Sequence, residues 1–209
     1  MSLDPLVLLD WRRRVAELYA EVRAAADPQA GWDRWRAGRD ELFAGHPASP
    51  LPRADRAAFR GLDLFDYDPG ARVEAEVRPA GAEVVELAGG DGARYTFTRF
   101  ARAGFRLRGE PREVDLDWLH GYAGGVFLAF TDASTGRATY GGGRYLLDTI
   151  KGADLGGTDG RLTLDFNFAY NPSCSYDPAW SCPLPSGRNR LACGVAAGER
   201  APRPGSPAD

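Results

Sequence analysis

The chain has 209 residues, 44% of them apolar and 26% charged, with a formal net charge of −3 and a sequence pI near 5.5. This length suffices to bury a sizeable core in one domain, and the slightly acidic balance excludes the broad basic face that nucleic-acid binding requires. The longest apolar run near the N-terminus, Leu6 to Leu9, is far too short for a bilayer span or a signal-peptide core, which predicts a cytoplasmic protein with no membrane partner.

Residues 1–45 read as a helical hairpin. Asp4-Pro5 is an N-cap followed by a proline at the first helical position, where a missing amide costs nothing. Leu8, Trp11, Val15, Leu18 and Val22 then recur at steps of three and four, one apolar stripe. Asp27-Pro28 repeats the cap, with Trp32, Trp35, Leu42 and Phe43 on a second stripe that Gly45 and Pro47 end. Two short helices cannot bury both stripes alone, so the hairpin is expected to pack on something else. Residues 46–70, punctuated by Pro47, Pro50, Pro52, Gly61 and Pro69, form an irregular connection.

From residue 71 the period changes to two. Val73–Val77, Val84–Leu87, Tyr95–Phe100, Phe105–Arg108, Val114–Trp118, Val126–Phe130, Arg144–Leu147 and Leu162–Phe166 predict about eight short strands in an antiparallel meander. The fold class is α+β, mainly β: a helical hairpin on a barrel-like or sandwich-like β domain over 46–199, with a disordered tail over 200–209. The basic residues are 25 arginines against one lysine, Lys151, which nearly excludes Schiff-base and Walker-type lysine chemistry.

Polar and aromatic residues are densest in the C-terminal third. Phe130-Thr131-Asp132-Ala133-Ser134-Thr135-Gly136 leads into Thr139-Tyr140-Gly141-Gly142-Gly143-Arg144-Tyr145. Asp165-Phe166-Asn167-Phe168-Ala169-Tyr170-Asn171-Pro172-Ser173-Cys174 follows, then Cys182-Pro183-Leu184-Pro185, Asn189-Arg190-Leu191 and Ala197-Gly198-Glu199. These strings resemble the bacterial and archaeal family of unknown function DUF1684. The resemblance covers roughly residues 30–199 and also takes in His46-Pro47-Ala48-Ser49-Pro50-Leu51. It departs at Ser186-Gly187, where the family often carries further prolines, and Cys193 lies outside the pattern. The resemblance implies a shared site and supplies no activity.

Read as a strand, Asp165 and Asn167 share one face and need a partner if that face is interior. Arg144, with its planar fork, is the expected one, either as a structural clamp or as the anchor of an anionic ligand that Asp165 orients or serves as acid/base. Tyr140 and Tyr170 serve packing or line a pocket. The Gly141-Gly142-Gly143 run lacks the lysine of a phosphate loop and reads as a hairpin turn. Asp132 reads as a turn residue capping backbone amides. Three readings of Cys174 and Cys182 stay open: a disulfide or redox pair, metal thiolates, or small buried hydrophobes. His46 either braces the loop after the second helix or stands beside the thiols.

No cofactor, metal or oligomeric state is named by the sequence. Two functions remain. In the first, Arg144, Asp165, Asn167, Tyr140 and Tyr170, with His46 and Cys174 at the edge, form a pocket that binds or transforms a small polar or anionic molecule in the β domain. In the second, the motifs are a folding lock in a non-catalytic structural or interaction module.

Overall fold

The computed structural model describes residues 4–89, 92–121 and 124–202. Two helices come first, α1 (Pro5–Ala24) and α2 (Pro28–Gly45), each begun by the expected aspartate and proline. The Asp4 carboxylate accepts from the Leu6 amide at 2.9 Å and Asp27 from Gln29 at 3.1 Å, replacing partners that a first helical turn lacks. A one-turn helix α3 (Arg53–Arg56) interrupts the connection. Six antiparallel strands follow: β1 (Arg72–Ala88), β2 (Arg94–Leu107), β3 (Glu110–Leu119), β4 (Gly125–Phe130), β5 (Arg144–Asp148) and β6 (Arg161–Asp165). Their order is β5-β4-β3-β2-β1-β6, a curled half-barrel.

Two pairs of expected strands are each one long strand, which reduces eight to six. Pro79-Ala80-Gly81 is not a turn: β1 runs through it with a register shift against β2 between Pro79 and Glu83. Likewise β2 continues through Ala101-Arg102-Ala103-Gly104, with an irregularity against β3 at Arg99–Ala101. Small residues at these points leave room for the bends that curl a sheet. The β2–β3 hairpin closes through Arg108 and Gly109, both at positive φ (52° and 84°), as a two-residue primed turn requires. Gly90 and Asp91, between the expected strands Val84–Leu87 and Tyr95–Phe100, and residues 203–209 of the expected tail lie outside the described residues.

The half-barrel is drawn together at a seam. The expected strand Leu162–Phe166 stops at Asp165, and the chain turns through a 3-10 helix (Phe166–Phe168). It emerges at Tyr170 alongside β5, where the Tyr145 amide donates to the Tyr170 carbonyl at 2.8 Å and the Tyr170 amide returns the bond at 3.0 Å. The segment after β6 therefore reaches the far edge of the sheet. The helical hairpin covers this seam: Leu18, Tyr19, Val22, Trp32 and Trp35 pack with Phe168 and Ala153. A larger core, including Phe105, Leu116, Leu128, Phe130, Leu164 and Phe166, fills the sheet's curl under Leu191, Val195 and Ala197.

Strands β3 and β4 pair only over Asp117–Leu119 and Gly125–Phe127, then part. The C-terminal segment enters this split. The Thr131 amide donates to the Asn189 carbonyl (2.9 Å) and Leu191 donates to Thr131 (2.8 Å). On the other side, the Asn189 side chain accepts from the Asp115 amide at 2.8 Å and donates to the Asp115 carbonyl at 3.1 Å, as a paired strand would.

Two glycines are required by geometry. Gly198, at φ 75°, passes so close to the seam that a Cβ would collide with the Ala169 carbonyl and lie 2.8 Å from that of Phe166. Gly143, at φ 80°, leaves 2.7 Å to the Phe130 carbonyl before β5. Gly198→Ala is expected to destabilise the fold by more than about 2 kcal/mol, since backbone strain and a clash with fixed carbonyls add. Urea unfolding of the variant measures it.

Asp115 and Asp117 lie on one face of β3 and both are buried. Asp115 is met by Arg99 at 3.4 Å and Arg102 at 3.3 Å, whereas Asp117 has no ion-pair partner among the described residues. Burial, and then the Asp115 charge, push the Asp117 carboxyl up to about 6. The native state therefore holds a proton that the unfolded chain releases near 3.8. Stability must fall as pH rises through this window, by at most ~3 kcal/mol for this group. Asp117→Asn is expected to remove that share of the slope and to be the more stable protein at neutral pH; urea titrations at acid and neutral pH compare the two.

Candidate functional site

The residues singled out in the C-terminal third fall into two neighbouring groups, a buried frame at the seam and a cleft outside it. In the frame, Asp165 and Asn167 are both 0% exposed. They do not share a strand face. Asp165 caps the 3-10 turn, accepting from the Asn167 amide (3.0 Å) and from its side-chain Nδ2 (2.8 Å). Asn167 in turn accepts from the Asp68 amide at 2.9 Å and donates to the Asp68 carbonyl at 2.8 Å. Its own carbonyl takes the Trp32 indole N–H at 3.0 Å, which ties α2 to the turn. Burial raises the Asp165 pKa, and the bonds from Asn167 and Arg72 oppose it.

The expected pairing of Arg144 with Asp165 does not occur. Arg144, 1% exposed, pairs with Asp132 at 2.8 Å, while the cation beside Asp165 is Arg72 at 3.5 Å. The reason is the turn: capping consumes the Asp165 face that a continued strand would have offered. Arg144 also donates to the Val195 carbonyl (3.0 Å), to that of Ala197, and to that of Glu199 (3.3 Å), and lies 5.2 Å from the Phe130 ring. Burial lowers its pKa, and Asp132 works against this. Asp132 keeps its capping role as well, accepting from the Ser134 amide at 2.6 Å.

Glu199 is the centre of the frame and is 0% exposed. One carboxylate oxygen pairs with Arg39 of α2; the other accepts from the Asn171 amide (2.7 Å) and the Tyr176 hydroxyl (2.9 Å). Arg39 lies about 5 Å from the rings of Trp35, Phe43 and Tyr170. Burial disfavours its charge, but Glu199 and the nearby phenols outweigh that and raise its pKa. Neither Arg39 nor Glu199 was among the candidate site residues. The signal for Arg39 is its place four residues after Trp35 and four before Phe43, on the apolar face of α2.

The second group borders a cleft of about 410 Å³ lined by Leu51, Asp55, Arg137, Tyr140, Ser175 and Tyr176, among others. The Tyr140 hydroxyl donates to the Cys174 sulfur, and the Cys174 thiol donates to Cys182. Burial, then Cys174, raises the Tyr140 pKa. Among the described residues, the buried Ser175 hydroxyl has no hydrogen-bond partner and the Arg137 guanidinium forms no ion pair. Tyr170 packs at the seam under Arg39 and Tyr145, away from the cleft lining.

His46 belongs to neither group. Its Nδ1 accepts from the Ala48 amide at 3.0 Å, so Nε2 carries the proton and donates to Asp10 at 3.0 Å. Its ring meets Trp11 edge-on at 5.2 Å, and it braces the end of α2 against α1. Among the described residues, no three His, Cys, Asp or Glu side chains are grouped to hold a metal ion, and no helix is long and apolar enough to cross a membrane.

Helices laid over the seam of a curled antiparallel sheet, with the seam locked by buried charges, define the class of protein. The family model described as a protein of unknown function, DUF1684, matches residues 57–200, and the chain belongs to that family. It is also similar to an uncharacterized protein of Haloarcula marismortui solved by solution NMR. The identity is 38%, the match covers 79% of this chain and 89% of that one, and the TM-score is 0.57. No match is found among curated proteins.

The frame makes a direct stability forecast. Arg144→Ala leaves the Asp132 carboxylate and three carbonyls without their donor, and is expected to cost about 3–5 kcal/mol, as removal of one partner from a buried pair does. Arg39→Ala should cost a similar amount through Glu199. Chemical denaturation reads both.

Proposed function

We propose that the protein binds a small polar molecule carrying an anionic group in the cleft between the 136–141 loop, Ser175-Tyr176 and the 51–55 segment. Arg137 and Tyr140 are its recognition groups. The observation that carries this reading is the contrast between two arginines of the same motif region. Arg144 has four N–H···O contacts within the chain, whereas Arg137 is exposed at the cleft without an ion-pair partner among the described residues. A guanidinium beside a phenol and an unpartnered hydroxyl is suited to a carboxylate or phosphate. On this reading Arg144, Asp165 and Asn167 hold the frame, Tyr170 and His46 pack and brace, and Cys174 stands behind Tyr140. The chemistry does not require a cofactor.

The second reading, a folding lock with no ligand, is favoured by the same engagement of Arg144, Asp132 and Glu199. Titration with inorganic phosphate and with acetate, followed by amide chemical shifts, separates the two. Shifts are expected at Gly136, Arg137, Tyr140 and Ser175. Arg137→Gln should abolish them while changing stability by less than about 0.5 kcal/mol, as an exposed substitution does. Shifts spread over the arginines of the sheet surface, or no shifts at all, would overturn the binding reading and leave the lock.

A further inference from the structure

Cys174 and Cys182 flank a seven-residue segment whose two ends are fixed independently. On one side, Pro172 and the 3-10 turn Ser173–Ser175 follow Asn171, whose amide is held by Glu199. On the other, Pro183 bridges Gly89 and the Leu184 amide donates to the Ala88 carbonyl at 2.9 Å, which ties the segment to the end of β1. The two sulfurs are thus brought into hydrogen-bond contact by anchors outside the segment between them. Cys182 is 4% exposed within the cluster of Phe97, Phe127 and Tyr145, and Cys174 is half-buried, nearer solvent.

The polar surroundings of the pair are those of a thiolate. The Cys182 sulfur accepts from the Cys174 thiol and from the backbone amides of Cys174 and Ser173, with the chain's one lysine, Lys151, contributing positive charge. Lys151 itself is held by Asp148 at 2.9 Å and lies 5.9 Å from the Tyr145 ring centre. The hydrogen bond from Cys174 comes first among the causes that lower the Cys182 pKa, and burial opposes it. Cys174 moves the opposite way, raised by its contact with Cys182 and by burial, and the Tyr140 hydroxyl donates to it.

We propose that Cys174 and Cys182 form a reversible dithiol–disulfide centre that reacts with hydrogen peroxide, with Tyr140 as the group that assists Cys174. This goes beyond ligand binding and does not depend on it. The Cys182 thiolate, which accepts from the Cys174 thiol, attacks one peroxide oxygen; the O–O bond breaks, and the departing hydroxide takes a proton from solvent to become water. Cys182 is now a sulfenic acid. The Cys174 sulfur, the more accessible of the two and the one Tyr140 contacts, attacks it, the S–S bond forms, and hydroxide leaves with the Cys174 proton as a second water. In sum, two thiols and one peroxide give one disulfide and two waters. A low-molecular-weight thiol in excess returns the pair to the dithiol by exchange.

The test uses the full chain, reduced and then freed of reductant. One equivalent of hydrogen peroxide is added, remaining thiols are alkylated, and a non-reducing digest is mapped by mass spectrometry. The expected product is a Cys174–Cys182 cross-linked peptide with Cys193 alkylated, reversed by excess glutathione. Tyr140→Phe should slow cross-linking severalfold with an unchanged unfolding midpoint. In Cys174→Ser, which lacks the resolving thiol, Cys182 should be trapped as a sulfenic acid by dimedone added with denaturant. Cys174 and Cys182 both alkylated after peroxide, oxidation to sulfinic acids without a cross-link, or a cross-link that glutathione does not reduce would each overturn the proposal. An unchanged rate in Tyr140→Phe would overturn the role of Tyr140. The phosphate and acetate titrations report on Arg137 and remain informative whichever way the thiols behave.

Discussion

The Glu199 carboxylate is the charge that the rest of the molecule is arranged to satisfy. A buried carboxylate costs several kcal/mol unless its oxygens are matched by donors, and here the donors come from three separate places in the chain. Arg39 arrives on α2, the Asn171 amide from the segment leaving the seam, and the Tyr176 hydroxyl from the turn after Cys174. None of the three satisfies Glu199 unless the helical hairpin, the seam and the C-terminal segment are all in place. Such a network discriminates against alternative packings, because each alternative strands a charge that only this one pairs. Arg144 applies the same logic to the backbone. By donating to carbonyls of residues 195, 197 and 199, it holds the stretch that presents Glu199.

The frame also explains why the sheet curls without closing through its own strands. Strand β6 pairs with β1 and ends; what reaches β5 is the irregular chain beyond it, through the Tyr145–Tyr170 bridge. A 3-10 turn at this point points Phe166 and Phe168 into different clusters, the first to the large core and the second to the helices. The Asp-Phe-Asn-Phe string thus joins two hydrophobic clusters across a corner, and its polar members satisfy the corner's own backbone. On the outer side of the same seam, the chain is irregular and less enclosed, and the cleft and the thiol pair lie there.

How far this was legible follows from the range of each interaction. The helices are marked by local chemistry, an aspartate and a proline at each start, so their beginnings read directly. The alternation of β1 and β2 is also local, but a bend within a strand and a turn between strands use the same small residues. Pro79-Ala80-Gly81 is therefore ambiguous until the pairing partner is known. The partner of Arg144 was less accessible still. Asp-Phe-Asn after an alternating run looks like continued strand, and only tertiary closure makes Asp165 a cap. Asp132, 12 residues before Arg144, read as a turn residue, and it is one; its second oxygen does the pairing. Arg39 carried a readable sign, a charge on an apolar helical stripe, but its partner is 160 residues away.

A dense motif need not be a site throughout, and the unused bonding capacity of its side chains is what distinguishes its parts. Arg144, Asp132, Asp165, Asn167 and Glu199 direct their polar atoms to the chain itself, and a ligand could engage them only by displacing bonds the fold depends on. Arg137 and the Tyr140–Cys174 contact border the cleft, and the Ser175 hydroxyl, buried in its wall, has no partner among the described residues, so these groups retain polar capacity. The frame and the cleft are adjacent for a physical reason. A side chain in an irregular loop offers a fixed geometry to a ligand only if the loop is held, and the loops around this cleft have few strand bonds of their own. Asp132 and Arg144 hold one wall, and Glu199, through Asn171 and Tyr176, holds the other. The buried charges therefore fix the walls of the cleft, and on the proposed reading that is how residues that never meet a ligand belong to the same motif as those that would.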